Sequence, residues 1–226
     1  MAWRGVSDGT GAAAHPIGEA NTDPYARNYL SPARPCLLTT APALSLPLAI
    51  AFHTALLGAA IAWQSVRADG VEALVRVPAE APLPWWGAAV LCAWLLVLGP
   101  AILEDRMPTL RKLGEELYEA MAPITTVRVA VLAGLSGICE EALFRGPLQA
   151  TVGWPVAAVL FALSHGGLSR RHLTWTGFAL IAGLLFGAMV EYYGSLSPAI
   201  VAHVTVNAIN MRRLQRFAKR QLPRGP

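Results

Sequence analysis

Residues 127–149 read VRVAVLAGLSGICEEALFRGPLQ, an apolar run long enough to cross a bilayer that carries two adjacent carboxylates, Glu140 and Glu141. Beyond Arg128 at its mouth, Arg145 is the one charge within the run that can compensate them. About 20 mostly apolar residues span the hydrocarbon core as a helix. An ionisable side chain at that depth costs from about 3 to more than 10 kcal/mol. The run is therefore a membrane helix, and its acidic pair marks a functional site rather than a solvated face.

Working outward, the rest of the 226-residue chain has the same character: 54% of it is hydrophobic and 14% charged, against roughly 25% charged in a soluble domain. Comparable apolar runs lie at Leu44–Trp63, Pro84–Leu103, Trp154–His165, Trp175–Tyr192 and Leu196–Met211, the run at Trp154–His165 being short. Leu110, Leu113 and Leu117 recur at helical spacing among charges, which predicts an amphipathic interfacial helix over Thr109–Met121. The expected fold is all-α, a polytopic transmembrane bundle of about six spanning helices plus that interfacial helix. Residues 1–43 read as a flexible leader that stays attached, 44–211 as the bundle and 212–226 as a basic tail.

The net charge of +4 comes from the tail, where Arg212, Arg213, Arg216, Lys219, Arg220 and Arg224 follow the last run without an acidic residue. This pattern argues for membrane topology and against nucleic acid. Placing the tail in the cytoplasm puts 15 of the 18 Lys and Arg on that side, Arg128 included, and leaves Arg67 and Arg76 in the outer loops. The composition suits a multi-pass protein of a bacterial cytoplasmic membrane. Cys36, Cys92 and Cys139 lack paired spacing, which supports neither a disulfide framework nor a thiolate zinc site. Trp85, Trp86 and Trp175 read as interface anchors, and Gly183 with Gly187 as a close-packing pair.

Helical spacing divides the acidic pair. Glu141 and Arg145 are four residues apart and share a face, so an ion pair keeps that carboxylate charged. Glu140 points about 100° away and is left as the freer carboxylate, a candidate general base. Phe161 and His165 share a face by the same spacing, and so do His203 and Asn207. A carboxylate and a His can hold and deprotonate a water, with a second His and an Asn as donors to a tetrahedral intermediate. Alternatively Glu140, Glu141, His165 and His203 ligate a divalent metal such as zinc, although no H-E-x-x-H is present. His53 and Glu191 read as structural and interfacial, and Arg170 and Arg171 as topological. One geometric conflict arises: Glu140 lies 13 residues into its run, roughly 20 Å from the cytoplasmic end, whereas His165 closes its own run on that side. Tilt, a break near Gly134 or Gly137, an extension of the fourth helix past Gly166 or a different topology would reconcile them.

The Glu140-Glu141-Ala-Leu-Phe-Arg145, Phe161-Ala-Leu-Ser-His165 and His203-Val-Thr-Val-Asn207 motifs, in that order over 127–211, resemble the signatures of the CAAX prenyl protease and bacteriocin-processing family of intramembrane endopeptidases. The resemblance implies a helix bundle that hydrolyses a peptide bond near a membrane-embedded or lipidated segment. It implies that Glu140 and His165 activate the water, His203 and Asn207 form the oxyanion site, and Glu141, Arg145 and Phe161 support them. The family has been described both as metal-dependent and as glutamate-dependent. Asn207 suits an oxyanion donor better than a metal ligand, so no cofactor is the favoured expectation and zinc the alternative. The expected partners are a membrane-anchored or lipidated peptide and the bilayer. The competing classes are a non-enzymatic immunity or scaffold protein that binds a peptide, and a small transporter whose carboxylates carry protons.

Overall fold

The computed structural model describes residues 45–76, 83–103, 106–121, 125–169 and 172–221. The leader expected over 1–43 and the charges Arg170 and Arg171 lie outside them. The architecture is an all-α helical membrane bundle, with helices α1 (Leu46–Ser65), α2 (Glu72–Val75), α3 (Leu83–Leu103), α4 (Pro108–Met121) and α5 (Thr126–Leu143). A π-type turn over Phe144–Leu148 follows α5, then α6 (Gln149–Val152), α7 (Trp154–Gly166), α8 (Leu173–Tyr193) and α9 (Ser197–Gln221). Among the described residues, α1, Pro84–Leu103 of α3 and α8 are long and apolar enough to cross a membrane by themselves. The apolar α7 has 13 residues, roughly 20 Å of helix, less than the hydrocarbon thickness of about 30 Å. In α5 the site charges interrupt the apolar run, and α9 continues past Met211 into the basic segment.

Local chemistry sets the helix ends that place the site. Thr125 caps α5, its side-chain oxygen accepting from the Arg128 N–H at 3.2 Å, which satisfies one of the orphan donors of the first turn. Gly153 (φ 82°) makes the corner between α6 and α7, with Pro155 in the first turn of α7. Gly167 (φ 63°) stops α7. Both corners use backbone angles that side-chain-bearing residues rarely adopt.

The largest core cluster joins α3, α8 and α9 through Ala89, Cys92, Leu96, Phe186, Met189, Ala202 and Val206. Small residues let helices approach closely elsewhere. A methyl group at Gly137 would stand 2.9 Å from the backbone N of Val204 in α9, and one at Gly183 would stand 3.2 Å from Cα of Ala158 in α7. Gly137 is thus a packing residue, and α5 runs unbroken through it and Gly134. The break comes later, at Gly146 (ψ −114°) beside Pro147. Trp85 also departs from expectation: it is buried against Tyr193, ring centroids 5.5 Å apart, whereas Trp86 is exposed. Cys92 and Cys139 are buried free thiols that fill the core.

Candidate active site

Glu140 and Glu141 stand in the last turn of α5, just before the π-type turn, and both are buried. Their partners differ completely. Glu141, with 0% exposure, has its Oε2 3.3 Å from Arg145 Nε, the ion pair expected from the four-residue spacing. Its Oε1 accepts from Nδ1 of His203 in α9 at 2.8 Å. The Arg145 guanidinium lies over the Phe161 ring at 4.3 Å. One buried carboxylate is therefore matched by a fixed cation, an imidazole and a π-face, as a charge in low dielectric requires.

Glu140 faces two imidazoles. Its Oε2 is 3.3 Å from His165 Nε2 on α7, and its Oε1 is 3.4 Å from His53 Nε2 on α1. In both histidines Nδ1 donates to the backbone carbonyl one turn earlier, Phe161 O at 2.8 Å and Ala49 O at 2.7 Å. A carbonyl only accepts, so each Nδ1 carries a hydrogen and each Nε2 is the nitrogen presented to the carboxylate. Glu140 Oε2 is fully buried and receives no aligned hydrogen bond, a property it shares with Glu141 Oε2 and Arg145 Nε, so the two carboxylates are told apart by their partners.

The conflict in depth between Glu140 and His165 is resolved by the corner at Gly153. Glu140 lies 13 residues before that corner and His165 12 after it, and with the break at Gly146 on the first arm the two side chains come within 3.3 Å across the hairpin. The end of α7 sits beside the first turn of α8, Gly167 O accepting from Thr176 Oγ1 at 2.8 Å. Meanwhile α5 and α9 continue past it as a pair, Gln215 Nε2 donating to Thr126 Oγ1 at 3.4 Å. The short α7 ends part-way down the bundle, and no extension of it is needed.

His203 and Asn207 share a face of α9 but hold different groups. Asn207 Nδ2 donates to Ser136 Oγ at 2.8 Å, while His203 is bound to Glu141. Phe161 links the parts: its buried ring is 4.3 Å from the His165 ring and 6.0 Å from the His203 ring. The arrangement is a Glu140 cluster and a Glu141 cluster that share one phenyl ring as a neighbour. The four residues considered as zinc ligands do not form a cage, because Glu141 is committed to Arg145 and His203. Among the described residues no group of three or more His, Cys, Asp or Glu is arranged to hold a metal ion. A pocket lined by Gln64, Asp69, Arg145, Gly146 and Ser195, among others, touches the Glu141 cluster through Arg145 and includes none of Glu140, His165, His203 or Asn207.

Two aromatic and basic residues take on new places. Trp175 stands 6.1 Å from the His165 ring and stacks on Phe178, so it flanks the site. His53 joins Glu140 although its sequence context looked merely structural. The signal that could have found it is an imidazole in the middle of an apolar spanning run, itself costly there.

Residues 122–209 match the family described as Type II CAAX prenyl endopeptidase Rce1-like. The match covers 88 of the 226 residues and is a similarity of that segment. The segment contains all three motifs, and the match supports a CAAX-type membrane protease at the level of the family. An uncharacterised protein of Bacillus subtilis (strain 168), YpbD, is 33% identical over 84 residues, 36% of this chain and 42% of the relative. The chain therefore spans less than half the length of that relative. No solved structure matches. His53 lies outside the matched segment, 69 residues before it begins.

Proposed function

We propose that the chain is an intramembrane endopeptidase that cleaves a membrane-anchored or lipidated peptide with a water activated by Glu140 and His165, without a metal. The observation that carries this is the Glu140 carboxylate, buried with each oxygen within 3.4 Å of an imidazole Nε2 rather than of a fixed cation. A water beside Oε2 and His165 Nε2, within reach of both, gives one proton to the carboxylate as its oxygen bonds to the scissile carbonyl carbon. The Asn207 amide donates to the oxyanion that forms, and His203, whose Nδ1–H is held by Glu141, adds a donor at Nε2 in its imidazolium form. Collapse of the tetrahedral intermediate breaks the C–N bond, and the proton held by Glu140 passes to the leaving amine. Acid and amine products result, and the carboxylate is restored.

The depth of the site suits a substrate that is itself anchored in lipid. Glu140 and His165 lie where α7 stops, towards the end of the bundle from which α5 and the basic segment of α9 project. We place that end in the cytoplasm, since Arg128, Arg212, Arg213 and Arg216 all lie on those two projecting helices.

The test uses purified protein in liposomes with two fluorogenic peptides: one ending in a farnesylated Cys-aliphatic-aliphatic-X sequence, the other carrying the same cleavable stretch on a transmembrane anchor. The wild type is expected to cleave at least one, to continue after prolonged chelation, and to lose cleavage in Glu140→Gln at an unchanged melting temperature. A wild type that binds but cleaves neither peptide overturns the enzymatic reading in favour of a peptide-binding scaffold. Stoichiometric zinc whose removal abolishes cleavage overturns the metal-free part.

A further inference from the structure

Of the two imidazoles within ion-pair distance of Glu140 among the described residues, His165 belongs to the three motifs and His53 does not. His53 comes from α1, outside the segment that matches the endopeptidase family, and its side chain is as buried as the carboxylate it faces, each 11% exposed. Its surroundings fix it tightly. The ring packs edge-on to Phe52 at 5.3 Å, and Nδ1 is bonded to Ala49 O at 2.7 Å, which locks both the ring plane and the tautomer. Only Nε2 is left to act, and it points at Glu140 Oε1 from 3.4 Å.

The hydrogens decide what the contact is. With Nδ1–H engaged, a neutral His53 presents a bare lone pair at Nε2, and so does an ionised carboxylate at Oε1. Two lone pairs facing each other in a buried site repel, so a proton must lie between them, on one partner or the other. The same tautomer at His165 presents a lone pair to Oε2, and there the water of the proposed reaction, donating one hydrogen to each, meets the need. The His165 side chain is 21% exposed and lies beside Trp175, whereas that of His53 is 11% exposed.

We propose that His53 is a positioning residue for Glu140. It shares one proton with Oε1 and so holds the carboxylate plane with Oε2 turned to His165 and the water. α1 is then part of the active site and not only its wall. This inference rests on the role given to Glu140 above. A carboxylate displaced by about 1 Å costs on the order of 10²-fold in rate, so loss of the contact should be read in turnover and not in substrate affinity.

The experiment compares His53→Phe and His53→Gln with wild type in the same liposome assay, and records ¹⁵N spectra of the imidazole rings in wild type and Glu140→Gln. Phe keeps the ring volume without a donor, and Gln keeps an N–H at similar reach. His53→Phe should lower kcat by about 10- to 100-fold with KM unchanged, and His53→Gln should recover most of the loss. The His53 Nε2 resonance should shift in Glu140→Gln while its Nδ1 resonance stays. A wild-type kcat in His53→Phe, a His53→Gln as slow as His53→Phe, or a His53 Nε2 signal indifferent to Glu140 would each overturn the proposal. The spectra need no cleavage, so they separate failure at His53 from failure of the protease reading. An inactive Glu140→Gln beside a fully active His53→Phe would reject His53 alone.

Discussion

Glu140 and Glu141 are neighbours along one helix turn, and the fold gives them opposite surroundings. Glu141 is fully enclosed and matched by Arg145, which is always charged, and by a 2.8 Å bond from His203. Glu140 has no fixed cation of its own within ion-pair distance among the described residues; it faces His165 and His53, whose charge depends on a proton. A permanent cation stabilises a carboxylate and makes it a poor proton acceptor. Imidazoles can exchange protons with one. The comparison teaches that a rotation of about 100° per residue suffices to turn two adjacent acids into one structural group and one reactive group.

The largest effect that would break this comparison is at Glu141. Glu141→Gln leaves Arg145 as an uncompensated buried cation, which costs about 3–5 kcal/mol, so thermal melting in detergent should show a strongly destabilised protein. The double change Glu141→Leu with Arg145→Leu should cost less than the sum of the two single changes, because each single variant strands one charge. Additive losses would mean that the pair is not coupled. Next in size is the oxyanion side: Asn207→Ala should lower kcat by about 10²- to 10³-fold with a small change in melting temperature, read from steady-state cleavage. A normal kcat in that variant would confine Asn207 to its bond with Ser136. The smallest effect is expected from packing between α5 and α9. Gly137→Ala forces a methyl group to 2.9 Å from the backbone N of Val204, and overpacking of this kind costs about 1–3 kcal/mol. Its melting temperature should fall, and both clusters should suffer together.

Much of this was legible in the chain. The apolar runs locate most helix ends to within a few residues, because a membrane helix must satisfy its own backbone and declares itself by length; the exceptions are α9, which runs on to Gln221, and α5, which stops at Leu143. The four-residue spacing located the Glu141–Arg145 pair, since it depends on one helix alone. What could not be read depends on how helices face each other. Nothing local says that His53 of α1 turns towards α5, that Trp85 packs on Tyr193, or that Asn207 meets Ser136 across 71 residues. The apparent conflict between Glu140 and His165 had the same origin: it assumed that α7 reaches the far side of the bundle, and the corner at Gly153 with the stop at Gly167 shows otherwise.

The central claim, that the two glutamates have separate duties, is tested most directly by one paired measurement: cleavage per folded molecule in Glu140→Gln and Glu141→Gln, with the folded fraction taken from melting curves of the same samples. The account predicts a fully folded, inactive Glu140→Gln and a poorly folded Glu141→Gln whose surviving molecules still cleave, since Gln can still accept from His203. A Glu140→Gln that cleaves at the wild-type rate, or a well-folded Glu141→Gln that is equally dead, would contradict it.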